Sequence, residues 1–182
     1  MKKLGIEIKW AAIITCLTIL WFVGQKLLGF HDNSNQSISL LLISFFGLYM
    51  LIFACYYMAY REKKKEIFHN NWGIKEAFKF GLLLTSMVAI LNPMAQYLMY
   101  ESISPDYFEQ QRARIAENYS NADVLIDNIN LNTYIRNGIV ETFSYGMIFT
   151  IGLSYLMKTK DYTPPVVVNK PNRKSPKNKK KK

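Results

Sequence analysis

The sequence predicts an all-α membrane protein, a four-transmembrane-helix bundle, and three observations predict it. Apolar runs of bilayer length occur four times within 182 residues, and a bilayer core needs about 20 mostly apolar residues in a helix. The lysines and arginines gather between those runs instead of being scattered through them. Aromatic residues, among them Trp10, Trp21, Tyr57, Trp72, Tyr97, Tyr100 and Tyr155, collect towards the run ends as an interfacial belt does. Average composition hides all of this, because 50% apolar residues would also suit an ordinary globular domain.

The first span is predicted over residues 8–28. No charge falls between Lys9 and Lys26, and both lysines have stems long enough to reach water from inside the span. Lys2 and Lys3 could open a signal peptide, but the run is long and no small-x-small site follows it before Phe30, so the segment reads as a retained span. His31, Asp32, Asn33, Ser34 and Asn35 supply turn chemistry before the second span, residues 38–60. Lys79 and Glu101 bracket the third span, residues 80–100, and the fourth covers residues 135–157 with the single charge of Glu141 inside it.

Residues 101–135 separate the last two spans. Ser104 before Pro105 and Asp106 is a helix start, since proline is pre-organised for a first turn and an acid there favours the helix dipole. Phe108, Ile115 and Tyr119 follow at helical spacing. Ser120 with Asp123 three residues on resembles a capping box, backed by the stripe Ala122, Leu125, Ile126 and Ile129. The expectation is an amphipathic outer helical hairpin that lies on the membrane or folds over the bundle. Residues 1–158 thus form one membrane domain. Residues 159–182, rich in lysine and proline, form a tail whose composition cannot bury enough apolar surface to order itself.

Charge placement sets the orientation. Nineteen of the 23 lysines and arginines lie before span one, between spans two and three, or after span four. The positive-inside rule then puts both ends of the chain and the central loop in the cytoplasm. Lys63, Lys64 and Lys65, with Lys179, Lys180, Lys181 and Lys182, are candidate contacts for anionic lipid headgroups, worth about 1 kcal/mol each near the surface. No nucleic-acid partner is expected, because almost nothing aromatic is interleaved with the lysines of the tail.

Little in the sequence carries chemistry. Cys16 and Cys55 sit in apolar runs, and His31 and His69 fall in hydrophilic loops on opposite membrane faces, so no metal site or disulfide framework is predicted. No nucleophile–base set or converging pair of carboxylates appears, so neither an enzyme nor a cofactor is expected. Span three does carry a small and polar face, with Ala77, Gly81, Thr85, Ala89, Asn92 and Gln96 three or four residues apart. Such a face should turn to the bundle interior, leaving Leu82, Leu83, Met87 and Ile90 outward. Pro93 removes a backbone donor and should kink the helix.

A charge inside a span costs at least about 2.5 kcal/mol, so Glu141 should either reach water or find partners. At 1.5 Å per residue, Gln96 and Glu141 lie about 7 and 9 Å from the outer ends of their helices. Lys26 comes to the same level. A polar intramembrane cluster of Lys26, Asn92, Gln96 and Glu141 is therefore expected.

Taken whole, the chain resembles a bacterial family of small inner-membrane proteins known as domain of unknown function 4199. The resemblance rests on Lys3 to Trp10, Lys26-Leu27-Leu28-Gly29, His31-Asp32, Lys75-Glu76-Ala77-Phe78-Lys79 with Gly81, and Asn92-Pro93. Ser104-Pro105-Asp106-Tyr107-Phe108 and Asn132 with Tyr134-Ile135 complete it. It covers roughly residues 1–158 and implies a four-span protein of the bacterial inner membrane, with no assigned activity. Two functions are compatible with the sequence. One is a non-enzymatic membrane subunit or scaffold acting through a protein partner or an envelope lipid. The alternative is a small oligomeric transporter or channel that uses the polar cluster.

Overall fold

The computed structural model describes residues 4–30, 38–118 and 122–164, and among them the regular structure is entirely helical. The order is α1 (Gly5–Leu27), α2 (Ile38–Glu66), α3 (Ile74–Tyr97), a π-helical turn (Leu98–Ile103), α4 (Tyr107–Asn118), α5 (Ala122–Ile126) and α6 (Leu131–Met157). Three of these helices are long and apolar enough to cross a membrane: α1, α2 from Leu42 to Glu66, and α6. The third predicted span, within α3, is not one of them, and its second half holds Asn92, Pro93 and Gln96.

α3 is the central helix. It packs along α6 for most of its length and against α1, while α2 lies mainly on α1 and touches α3 and α6 more lightly. Its buried residues, Ala77, Phe80, Gly81, Leu84, Thr85, Val88, Ala89 and Ala95, recur every three or four positions and include the first four members of the small and polar face. Opposite them α6 buries Gly138, Thr142, Gly146, Thr150 and Ser154, one small residue per turn. The two stripes let the helix backbones approach closely. A Cβ on Gly146 would come within 2.7 Å of Thr85 Oγ1 and 2.9 Å of Tyr56 Oη, and one on Gly81 within 2.6 Å of Thr150.

The Thr85–Thr150 hydrogen bond crosses this seam, and two tyrosines of α2 bond onto its two sides. Tyr56 Oη lies 3.1 Å from Thr85 Oγ1, Thr85 Oγ1 lies 3.4 Å from Thr150 Oγ1, and Tyr60 Oη lies 3.3 Å from Ser154 Oγ. Lipid tails are as apolar as leucine, so close packing and such bonds, averaging about 0.6 kcal/mol each, hold membrane helices together.

The end of the bundle that carries the central loop is tied by charge. Lys63 Nζ donates to Glu7 Oε1 at 2.7 Å with both side chains almost fully buried, and Lys9 and Trp10 Nε1 both reach Glu62. Lys64 Nζ and Trp72 Nε1 donate to the Met157 carbonyl at 2.8 and 2.9 Å, covering a free acceptor at the negative end of the α6 dipole. These contacts correct one expectation. Lys63 does not present its charge to lipid headgroups, because Glu7 holds it inside. Trp10, Trp72 and Tyr100 of the aromatic set are buried in the bundle, and the polar tips of the first two find internal partners; Tyr57, Tyr97 and Tyr155 remain exposed.

At the opposite end α3 continues through Pro93 to Tyr97 and passes into the π-helical turn. The chain turns at buried Ser104, and α4 begins at Tyr107. Phe22, Met99 and Tyr100 form a small core against which Tyr107, Phe108, Leu131 and Tyr134 pack, so the start of α4 folds over the end of the bundle. Arg112 fixes α4 further by donating twice to the Ile129 carbonyl, at 3.0 and 2.7 Å. Asn130 caps α6 by accepting from the Thr133 amide at 2.9 Å. Of the outer stripe, Ile129 is buried and Leu125 exposed. Tyr119, Ser120 and the lysines at 179–182 lie outside the described residues, as does the turn at 31–37.

Candidate functional site: a cavity beneath α4

Because α2 leans on α1 and only lightly on α6, the four long helices do not close at the α4 end. They leave a cavity of about 340 Å³. Its walls are aromatic on several sides, with Trp21 and Phe22 from α1, Phe45 and Tyr49 from α2, and Tyr100 and Tyr107 from the α4 end. Its polar groups come from all four long helices: Gln25 on α1, Ser44 on α2, Asn92 and Gln96 on α3, Glu141 and Thr142 on α6. Gly138 makes room for them, since a Cβ there would stand 2.6 Å from Gln96 Nε2 and 2.8 Å from Asn92 Oδ1.

Some of these groups are satisfied. Gln25 Nε2 donates to Ser44 Oγ, linking α1 to α2. Asn92 Nδ2 donates to Thr142 Oγ1 at 3.0 Å. Tyr49 Oη donates to Glu141 Oε1 across the α2–α6 gap, and its ring is in edge contact with Tyr145 and tilted against Phe45. Glu141 is exposed and so sits at the rim, where the cavity meets the outside between α2 and α6.

Three others are not satisfied. Trp21 Nε1, Asn92 Oδ1 and Gln96 Oε1 are buried without a hydrogen-bond partner in the protein, and all three belong to cavity-lining residues. A buried donor or acceptor left unpaired costs about 1–3 kcal/mol. Natural proteins leave few such atoms, so three at one cavity mark a place organised around something other than the fold's own bonding.

The expected polar cluster is thus divided. Asn92, Gln96 and Glu141 line one cavity. Lys26 does not line it, because its ammonium donates to the Ile103 carbonyl at the end of the π-helical turn. A cation favours the carbonyl end of a helix, and that acceptor lies in reach outside the cavity. Among the described residues no lysine, arginine or histidine lines the cavity. Of the predicted headgroup contacts in the central loop, Lys63 is held by Glu7 and Lys64 by Met157, and Lys65 is exposed. Glu7, Trp21 and Tyr49 were not singled out as site or pairing residues by sequence. Of these, only Glu7 left a signal, as an acid one residue before a span. The small stripe of α6 is spaced by four in the sequence itself.

The family model described as protein of unknown function (DUF4199) matches residues 9–159. The chain belongs to this family. Its matched region takes in α1 from Lys9 on, the other three long helices, the cavity and α4. No curated protein matches the chain. No solved structure matches it either. Family membership carries no activity across, so the chemistry of the cavity is the ground for a functional reading.

Proposed function

We propose that this DUF4199 protein crosses the bacterial inner membrane four times, with both ends of the chain in the cytoplasm, and works without catalysis by holding an envelope lipid or lipid-like ligand in the cavity beneath α4. Three of the crossings are the helices already apolar enough to span. The fourth is α3, whose polar groups face α6 and the cavity and are thereby kept from lipid. The α4 end is then external and the Lys-rich end cytoplasmic, in keeping with the positive-inside distribution.

The observation that carries the reading is the coincidence of three unpartnered buried polar atoms with one aromatic cavity. A conducting pathway has less support. Towards the cytoplasmic side Tyr56, Tyr60, Leu84, Thr85 and Thr150 are fully buried and fill the bundle, which favours a blind pocket over a pore. Contact with a partner protein is compatible with this reading, the exposed faces of α4 and the lysines near the central loop being its surfaces.

Two measurements test it. Reporter fusions after Lys65 and Lys160 should read cytoplasmic and one near Asn118 external; a cytoplasmic signal near Asn118 would reject the topology. Mass spectrometry of the purified protein should find a lipid that survives detergent exchange in wild type and is lost from Gly138→Leu, which fills the cavity. Equal lipid retention by a folded Gly138→Leu protein would reject the cavity as the site.

A further inference from the structure

Two of the cavity's three unpartnered polar atoms are acceptors. Glu141 contributes a carboxylate at the rim, and Asn92 Oδ1 and Gln96 Oε1 are acceptors without donors. Of the cations at this end, Lys26 is committed to the Ile103 carbonyl and Arg114 acts on Tyr107 at the α4 side, and among the described residues neither lines the cavity. The same cavity is lined by electron-rich rings, Trp21, Phe45 and Tyr49 among them. A cation over the face of such a ring is attracted by about 0.5–2 kcal/mol, more as water is excluded.

We propose that the cavity binds an ammonium group carried on an apolar body. The ammonium donates to Asn92 Oδ1 and Gln96 Oε1 and pairs with Glu141, and the ligand enters laterally through the α2–α6 gap. This deepens the lipid-holding reading and rests on it.

Each part follows from the chemistry of the lining. An ammonium has three donors and no acceptor, which matches two orphan amide oxygens and a carboxylate. A phosphate or carboxylate in the same place would meet Glu141 with no positive side chain lining the cavity among the described residues. Trp21 Nε1, the one orphan donor, suits a neutral oxygen such as an ester or hydroxyl beside the ammonium. The lateral route follows from the rim: Glu141 is exposed there, Tyr49 alone of the α2 lining residues bonds across the gap to it while its ring edge rests on Tyr145, and α4 covers the end of the bundle. Breaking the Tyr49–Glu141 bond and swinging the Tyr49 ring off Tyr145 opens the gap and frees the carboxylate for the incoming charge.

The test uses the full-length protein in nanodiscs of phosphatidylglycerol, following tryptophan fluorescence and calorimetry. Probes are dodecylammonium, dodecanol, dodecyl sulfate and ethylammonium, with a second set of nanodiscs containing phosphatidylethanolamine. Dodecylammonium should bind, dodecanol and dodecyl sulfate should bind at least about tenfold more weakly, and Glu141→Gln should lower dodecylammonium affinity about tenfold or more.

Glutamine can still accept from Tyr49, so this variant should keep the fold. Gln96→Leu, which removes an orphan acceptor and no recorded hydrogen bond, should weaken binding in the same direction. Competition by phosphatidylethanolamine alone identifies a lipid headgroup as the source; equal competition by ethylammonium identifies a soluble amine. Both outcomes support the ammonium site. Dodecanol binding as tightly as dodecylammonium, or unchanged binding in folded Glu141→Gln and Gln96→Leu proteins, overturns the ammonium assignment and leaves the lipid-holding reading intact. No binding of any probe, together with no retained lipid in the wild type, rejects both.

Discussion

Removing either partner of the Glu7–Lys63 pair should destabilise the protein far more than removing both. The ammonium lies 2.7 Å from the carboxylate, and the two side chains are only 6% and 4% exposed, so neither charge can fall back on water if the other is deleted. Breaking a buried pair costs about 3–5 kcal/mol, against 0–1 kcal/mol for an exposed one. The pair is also imperfect, since Glu7 Oε2 has no hydrogen-bond partner. Part of the desolvation cost of the carboxylate is therefore not recovered, and replacing both residues by apolar ones of similar size should be neutral or stabilising.

The expected cycle is a loss of about 3–5 kcal/mol for Glu7→Leu and for Lys63→Met, with the double variant within about 1 kcal/mol of wild type or above it. Unfolding by sodium dodecyl sulfate in mixed micelles, followed by helical circular dichroism, measures all four proteins. Single losses below about 1 kcal/mol would mean that the pair is effectively solvated. Additive losses in the double variant would mean that the two charges do not depend on each other, and either result refutes the reasoning.

Other outcomes follow from the seam and from the tail. Gly146→Leu drives a side chain into Thr85 and Tyr56, within 2.9 Å of where its Cβ must sit, and should cost about 1–3 kcal/mol or separate α3 from α6; the same unfolding assay reads it, and an unchanged midpoint would show that the helices are not in close contact there. Deleting residues 171–182 removes a segment whose composition adds little to a core, so insertion and unfolding midpoint should match wild type, and degradation of the truncated protein would assign the tail a structural role.

Elements that depend on one dimension were legible in the sequence. α1, α2 and α6 were placed because apolar length and the position of the first flanking charge are properties of a string, and lipid enforces them whatever the neighbours do. The small and polar face of α3 was equally visible, since helical spacing alone puts Ala77, Gly81, Thr85 and Ala89 on one side, and all four are buried. The helix start near Ser104-Pro105-Asp106 was marked by its own turn chemistry, with α4 beginning at Tyr107.

Pairing is different, because it depends on how each helix is rotated and on which ends stay open. From depth alone, Lys26 was as good a partner for Glu141 as any residue. The π-helical turn carried the Ile103 carbonyl into its reach, and the light contact of α2 with α6 gave Glu141 to Tyr49. Lys63 read as one of three surface lysines until the packing of α1 on α2 set Glu7 beside it. The cavity is the extreme case. Asn92, Gln96, Trp21 and Glu141 come from three helices, and only the gap left where those helices fail to close against α2 makes them one site. Sequence therefore determined which helices are long and apolar enough to cross a membrane, since solvent acts on each helix separately. Tertiary structure decided what the polar groups do, since a hydrogen bond requires two side chains from different helices to meet within about 3 Å.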